Sequence, residues 1–583
     1  MKMRRIGHWA IFAIWLVLSA ALIITGWNHI RLGVGWDPDD QLRLVQLRDF
    51  LNGQGWFDNR QYRLSPPEGA PMHWSRLIEL PLAVLVLLSA PLVGQVQAET
   101  VASIVVPLFL FGGIILLLSH IASHIGGPVA GIIAAGMAAI SGPLVTQLRP
   151  MRIDHHGWQI AMAVLALASL FHANARKAGL VLGVALAVWL HISLEAVPMS
   201  AAFFLFLGWQ WLTRRDAASR LFWTITSFSL SSLVLFLGTQ TQGFGASVYC
   251  DTVSPPHIWA ILAASICMLP GLMFAPRRAA LRALIMLSAG AAAVLVVGLR
   301  APACLTGAFG TLDPLVRAYW YVHVQEGMPI WHQPLGTAAI LLAGPVVGLV
   351  SSLYLAHKMT GQHRQSLIIL SFFTLCGFIL SLLVLRTVSV ASAYAIVPAA
   401  LLVAHVFAQY RQENLPARRI LCVVAMLLLA SPASWVSSLT DIWRTPQTAH
   451  EVHREKRLAA CESAQSVAAL GALPIGQFIA PFDMAPMILA RTKHSVLASG
   501  HHRNAHAMRD HIEVFRSPPQ IAHLLLHKRG IDYVAVCADE EELADYARKD
   551  PNGLWAHMAQ AKVPNWLEPL PVMGKAIRVW RVR

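Results

Sequence analysis

The chain has 583 residues, of which 56% are hydrophobic and only 13% are charged. Soluble domains carry about 45–50% apolar and about 25% charged residues, so this composition excludes a soluble enzyme, a disordered chain and a small disulfide scaffold. The net charge of +15, from 45 Lys and Arg against 30 Asp and Glu, does not imply nucleic acid, because much of it sits in short clusters between apolar stretches. The chain reads as a polytopic α-helical membrane protein.

Apolar stretches of about 17–25 residues mark candidate membrane helices. The first lies at about 8–27, behind the basic start Met1-Lys-Met-Arg-Arg. No small-residue cleavage site follows it, and Trp27 and Trp36 suit a membrane interface, so it is expected to be an anchor with a cytoplasmic N-terminus. Further stretches run at about 79–96, 101–121, 127–147, 157–173, 179–194, 195–212, 221–239 and 257–275. The last five lie at about 282–298, 336–357, 366–386, 389–408 and 419–437. That makes fourteen candidates.

Basic clusters then set the sidedness. Arg176/Lys177, Arg214/Arg215/Arg220, Arg277/Arg278/Arg282, Lys358/Arg364 and Arg411/Arg418/Arg419 fall at every second loop from residue 174 onward, which places those loops in the cytoplasm. A cytoplasmic N-terminus allows only an even number of spans before residue 174. The segment at 79–96, short and interrupted by Pro81 and Pro91, is therefore expected to lie in the outer interface. About thirteen spans remain, in a bacterial inner membrane with the C-terminus in the periplasm.

On this topology residues 1–437 form the membrane domain, with outer loops at 28–98, 148–156, 240–256 and 299–335. Residues 438–583 form a periplasmic domain. Its strand-like runs Gln477-Phe-Ile-Ala, Tyr533-Val-Ala-Val and Ile577-Arg-Val-Trp-Arg-Val alternate with helix-like segments, so a small α/β unit is expected. Of the seven cysteines, Cys250 and Cys304 stand in successive outer loops, where an oxidising compartment favours a bridge between them. Cys461 and Cys537, both in the tail, make a weaker case for a second.

Five places carry candidate chemistry. Asp37, Asp39 and Asp40 crowd the start of the first outer loop, an oxygen-rich cluster that suits Mg²⁺ or Mn²⁺ or, alternatively, an Asx turn capping the next helix. Asp154 and His156, with Arg152 beside them, stand where a span meets the outer surface, as metal ligands or as a helix cap with interfacial histidines. Glu326 lies in the outer loop at 299–335, and Arg386 at the outer end of a span could snorkel to headgroups or hold a phosphate. His191 and Glu195, one helical turn apart, would serve a proton relay in a transporter or simply satisfy one another. No Walker A, GxGxxG, GxSxG or HExxH occurs in a suitable context, so ATP, dinucleotide and serine or zinc hydrolase chemistry lack support.

As an ordered set, these residues resemble the catalytic subunit of oligosaccharyltransferase, within the GT-C superfamily of polyprenyl-phosphate-dependent glycosyltransferases. Asp37-Pro-Asp-Asp-Gln-Leu-Arg looks like the family's DPxxxxR opening, which assigns Asp37 to the metal-binding aspartate and Arg43 to its arginine. Ile153-Asp-His-His is similar to the archaeal second motif, which implies metal ligation by Asp154 and His156. Val322-His-Val-Gln-Glu-Gly-Met-Pro looks like the mobile-loop motif ending in a glutamate, hence Glu326. Arg386 followed by Ser392-Ala-Tyr-Ala-Ile-Val-Pro resembles the segment that holds the donor's phosphates.

One part departs from the family. Its acceptor-reading WWDYG corresponds here to Ala480-Pro-Phe-Asp-Met-Ala-Pro, which keeps Asp483 and lacks both tryptophans and the tyrosine. The resemblance thus implies metal-assisted transfer of a sugar or oligosaccharide from a polyprenyl-(di)phosphate donor. Asp37, Asp154 and Glu326 would be catalytic, and Asp37, Asp154, His156 and Glu326 would hold Mg²⁺ or Mn²⁺. Arg386 would bind the donor phosphate, with Asp39, Asp40, Arg43 and Arg152 in support. The acceptor would be a cell-surface glycan, a lipid or a protein other than an Asn-x-Ser/Thr sequon. The alternative is a transporter or flippase of lipid-linked glycans using His191, Glu195 and Arg386; a third reading is a non-catalytic assembly subunit.

Overall fold

The computed structural model describes residues 2–240, 242–441, 456–461, 463–537, 540–571 and 576–583. They form two compact units. The first comprises Met1–Trp27, Leu77–Gly310 and Gln325–Arg444, and the second Asn28–Arg76, Thr311–Val324 and Thr445–Arg583.

The first unit is a helical membrane domain. Among the described residues eleven helices are long and apolar enough to cross a membrane, or twelve if Pro416–Ala430 and Pro432–Asp441, bent by 88° at their junction, make one span. The difference from the expected thirteen has three sources. The spans expected at 101–121 and 127–147 fall within the stretch Gln95–Ala139, counted once above, which is two helices meeting at a kink at Gly127, whose φ of +81° suits glycine alone. The span expected at 157–173 is a helix of 14 residues, His156–Ser169, because the polar run His172–Asn174 follows and Asn174 caps the next helix. The segment at 79–96, expected along the interface, contributes Glu79–Val93, and the stretch Arg76–Val93 is itself long and apolar enough to span.

Two of these helices meet through small residues. A Cβ at Gly183 would collide with Ser227 Oγ, and one at Gly179 would lie 2.6 Å from the carbonyl oxygen of Arg220. Glycines four apart let the backbones of Ala175–Ile192 and Ala218–Thr239 approach closely. Ser227 Oγ donates to the Gly179 carbonyl at 3.2 Å across this contact. The packing fixes the end of the first helix at Ile192, from which a short turn carries Glu195 into the helix Ala196–Thr213. Cys250 and Cys304 are joined within the same unit.

The second unit is α/β, but it is not confined to the tail. Strands β1 (Arg60–Gln61) and β2 (Ala70–Pro71) form a small antiparallel pair in the first loop. The tail supplies β3 (Gln477–Ile479), β4 (Ser495–Val496), β5 (Tyr533–Val536), β6 (Leu567–Leu570) and β7 (Arg578–Val582). They form one sheet in the order β4-β3-β5-β7-β6, parallel from β4 to β5 and antiparallel through β7 and β6.

Residues 28–76 belong to this unit for a reason of burial. The helix Pro38–Leu51 buries Leu42 and Val45 in one apolar cluster with Ile488, Leu489, Phe478 and Val579. Arg48 Nη1 donates to the Ala490 carbonyl at 2.7 Å, and Arg63 Nη2 to that of Leu489 at 2.9 Å. Residues 311–324 join in the same way, with Val316 and Tyr319 buried beside Phe515 and Tyr546. The expected boundary at 438 thus leaves out two earlier segments, 28–76 and 311–324, that fold with the tail. Cys461 and Cys537, the less favoured pair, are joined as well.

Candidate active site

In the first unit the connection 149–155 carries the densest polar cluster. Pro150 and a left-handed Met151 (φ +69°) turn the chain sharply after the helix Gly142–Leu148, and the Met151 N–H is held by the Ser103 carbonyl at 2.9 Å. Asp154 follows, buried, and it does not cap the next helix. The cap position of His156–Ser169 is His155, without a side-chain cap bond. Asp154 instead points its two oxygens at the two imidazoles, Oδ1 at 2.6 Å from His155 Nδ1 and Oδ2 at 3.3 Å from His156 Nε2. Arg152 lies 3.8 Å from Asp154 Oδ2 and is steadied by Gln147 at 3.2 Å.

Asp154, His155 and His156 thus offer three buried donor atoms within 4.8 Å of one another. A carboxylate with imidazoles suits a divalent cation of the Mn²⁺ or Zn²⁺ kind. Of the ligands that the resemblance implies, Asp154 and His156 are in this group, and His155 joins them.

Beside it lies a cleft of about 410 Å³ bounded by His156, Gln159, Trp189, Glu195 and Arg386. Arg386 stands on the short turn Leu385–Thr387 between two long helices, and the Leu385 N–H is tied to the Met328 carbonyl at 3.0 Å. Its guanidinium makes a 2.5 Å ion pair with Glu195 and reaches Glu326 at 3.4 Å. A relay of amides backs this pair. Trp189 Nε1 donates to Gln159 Oε1 at 3.3 Å, and Gln159 Nε2 lies 3.3 Å from Glu195 and 3.4 Å from His156 Nδ1. Both Nη atoms thus face carboxylates, Nη2 that of Glu195 and Nη1 that of Glu326.

Glu195 was expected beside His191 and instead turns to Arg386. Gln159, Trp189 and His155 carried no signal that singled them out, although Gln159 stands three residues after His156 and so shares its helix face.

In the second unit Asp37 accepts from the Asp40 N–H at 3.0 Å and caps the helix Pro38–Leu51. Asp40 is buried and accepts from the Trp36 N–H at 2.9 Å, which closes the turn. Arg43, also buried, stacks its guanidinium 4.2 Å over Trp74, and Asp39 lies 3.8 Å from His501. Asp37, Trp36, Gln41, Ser463 and Asp483 line one cleft of about 1210 Å³.

No family model matches the chain, and no curated protein matches it in sequence. Solved structures do match. The chain superposes on the oligosaccharyltransferase AglB of Archaeoglobus fulgidus, solved with an inhibitory peptide and a dolichol-phosphate, with a TM-score of 0.66 and 14% identity over 96% of this chain and 72% of that one. The fold is similar to that of an archaeal oligosaccharyltransferase. The A. fulgidus oligosaccharyltransferase with zinc and sulfate gives 0.59 and 15% identity over 96% of this chain and 71% of that one. Tethered to an acceptor peptide containing the NVT sequon, it gives 0.60 and 14%, over 93% and 71%. At these identities the likeness is one of fold, and it agrees with the fold that the sequence resemblance implied.

Proposed function

We propose that the chain is a membrane glycosyltransferase that moves a sugar or oligosaccharide from a polyprenyl-(di)phosphate donor to a periplasmic acceptor. The observation that carries this reading is the buried Asp154–His155–His156 cluster beside the Arg386 cleft, on a fold shared with a protein solved with dolichol-phosphate. Arg386 binds the donor phosphate; Glu195 holds its guanidinium in place, and Gln159 in turn donates to Glu195. Asp154 and His156, with Glu326, are the proposed holders of a divalent ion. Such an ion would neutralise phosphate charge as the bond from C1 to the phosphate oxygen breaks.

Asp37 is the proposed base, taking the acceptor's hydroxyl proton as that oxygen attacks C1. Asp40, Arg43 and Arg152 keep the two motifs in shape. The acceptor is a glycan or lipid hydroxyl rather than a sequon asparagine, because the stretch around Asp483 lacks the family's aromatics. Glu326, about half exposed on the loop arm that carries Met328, closes over the bound substrates.

The test is transfer from a radiolabelled polyprenyl-linked sugar in intact and inverted membranes, with and without chelator, for wild type and Asp154→Ala. Chelator-sensitive transfer that the variant loses supports the proposal. Unchanged glycans with the lipid-linked sugar stranded on the cytoplasmic side would overturn it in favour of a flippase.

A further inference from the structure

The sheet of the second unit carries a group of donors that the glycosyl-transfer reading does not use. The helix Pro519–Lys528 presents His523 and His527 four residues apart, hence on one face. Their Nε2 atoms lie 2.8 Å from each other. Both also face the main-chain oxygen of Arg583, at the end of β7, at 2.8 Å from His523 and 3.0 Å from His527. Three donor atoms thus form a nearly equilateral triangle.

Protons satisfy this triangle poorly. If both Nε2 atoms carry hydrogen, both can donate to the one oxygen, but the two N–H groups then crowd each other at 2.8 Å. If neither does, three lone pairs converge with nothing between them. If one does, it can serve the oxygen or the other nitrogen, and the remaining contacts stay unmet. A cation seated above the triangle satisfies all three atoms at once.

We infer that His523, His527 and the Arg583 main-chain oxygen form a site for a borderline transition-metal dication, of the Ni²⁺, Cu²⁺ or Zn²⁺ class. Bonds of about 2.1 Å to neighbouring corners of an octahedron put ligand atoms about 3.0 Å apart, close to the separations here, and leave three positions to water. Two neutral imidazoles favour these ions over Mg²⁺ and Ca²⁺, which prefer all-oxygen ligands.

The surroundings are built to hold the triangle. Trp566 stacks on the His523 ring with centroids 4.5 Å apart and planes 15° apart. The Arg583 N–H is bound to the Trp566 carbonyl at 2.9 Å, which fixes the oxygen side of the site. The Arg583 guanidinium is drawn away by Glu568, with both contacts at 3.3 Å, so its charge does not oppose the ion. Bound metal would clasp the end of β7 to the helix Pro519–Lys528 and steady the sheet edge.

The experiment titrates Ni²⁺ into the full, untagged chain in detergent with excess Mg²⁺ present, and compares wild type with His523→Gln, His527→Gln, Trp566→Phe and Asp154→Ala. The expected result is one equivalent of Ni²⁺ bound at this site by Asp154→Ala and a second by wild type, whose Asp154 cluster also offers imidazoles. Each histidine variant should lose at least about a hundredfold in affinity, the upper end of what outer-shell changes alone cost. Binding should quench tryptophan emission in wild type and do so less in Trp566→Phe. Bound Ni²⁺ should also raise the melting temperature of wild type and not of the histidine variants. Both histidines are on the surface, and equal melting temperatures without metal will show that the variants fold. Wild-type Ni²⁺ affinity in both histidine variants, or no Ni²⁺ binding by wild type, overturns the inference.

Discussion

The motifs at Asp37 and Asp154 share an aspartate and are built differently. Asp37 stands at a helix N-terminus, partly exposed, and spends one oxygen on a backbone N–H. Asp154 is buried, caps nothing, and gives both oxygens to imidazoles. A capping carboxylate is met by local backbone, whereas a buried one needs polar side chains, since desolvated charge is costly unless compensated; here the next two residues supply them. The same residue type therefore reports local structure at one site and a polar cluster at the other.

Asparagine replacements separate the two motifs most sharply. Asp154→Asn keeps the shape and removes the charge, and it should cut transfer by at least about 10²–10³-fold in a single-turnover assay. Asn caps helices about as well as Asp, so Asp37→Asn should melt within a few tenths of a kcal/mol of wild type. If Asp37 is the base, transfer falls as far as in Asp154→Asn; unchanged transfer would reduce Asp37 to a cap.

The disulfide offers the next largest effect. Cys461–Cys537 lies in the apolar cluster that also holds Leu42 and Val45 from the helix Asp37 caps. Paired Cys461→Ser and Cys537→Ser changes should cost the second unit about 2–4 kcal/mol, read as an earlier unfolding transition. The spectroscopic signature of metal at the Asp154 cluster should not change. Loss of that signature would mean that the two motifs are less independent than their construction implies.

Arg386→Lys keeps the charge and loses the fork. The donor KM should rise about tenfold, worth about 1.4 kcal/mol, while the structure persists. An unaltered KM would remove Arg386 from the phosphate site and leave it as a partner of Glu195.

The smallest effect belongs to the loop segment 311–324. Tyr319 donates to Asp550 at 2.6 Å, and its hydroxyl is pushed up to about 12 by burial and by that carboxylate. The folded value lies above the unfolded value of about 10, so the stabilisation is complete below about pH 10 and is lost as pH rises toward 12. Tyr319→Phe should cost about 1 kcal/mol at pH 8, and the difference from wild type should vanish through that alkaline window. A difference that persists at pH 12 would show that packing, not the hydrogen bond, accounts for it.

Much of this was legible in the chain itself. Long apolar runs marked the helices because a membrane core demands them, and short apolar runs at 477–480, 533–536 and 577–582 marked three of the five sheet strands. Arg152, Asp154, His156, Glu326 and Arg386 stood out because ionisable groups near apolar spans are costly to keep. Glu195 was seen and misassigned, because a neighbour four residues away is visible in sequence and a partner 191 residues away is not. Gln159 and Trp189 were invisible, since amides and tryptophans at span ends have many ordinary uses.

The sequence by itself determined where the chain is apolar, where charge interrupts it and which residues can bind metal or phosphate, because those are properties of single side chains and their near neighbours. Only the tertiary structure decided that Asp154 faces two histidines, that Glu195 holds Arg386, and that two outer-loop segments fold with the tail. The first of those outcomes depends on how one sharp turn aims three neighbouring side chains, and the last two on groups far apart in the chain. Their meeting is set by helix packing and by burial of Leu42, Val45, Val316 and Tyr319, which no local pattern records.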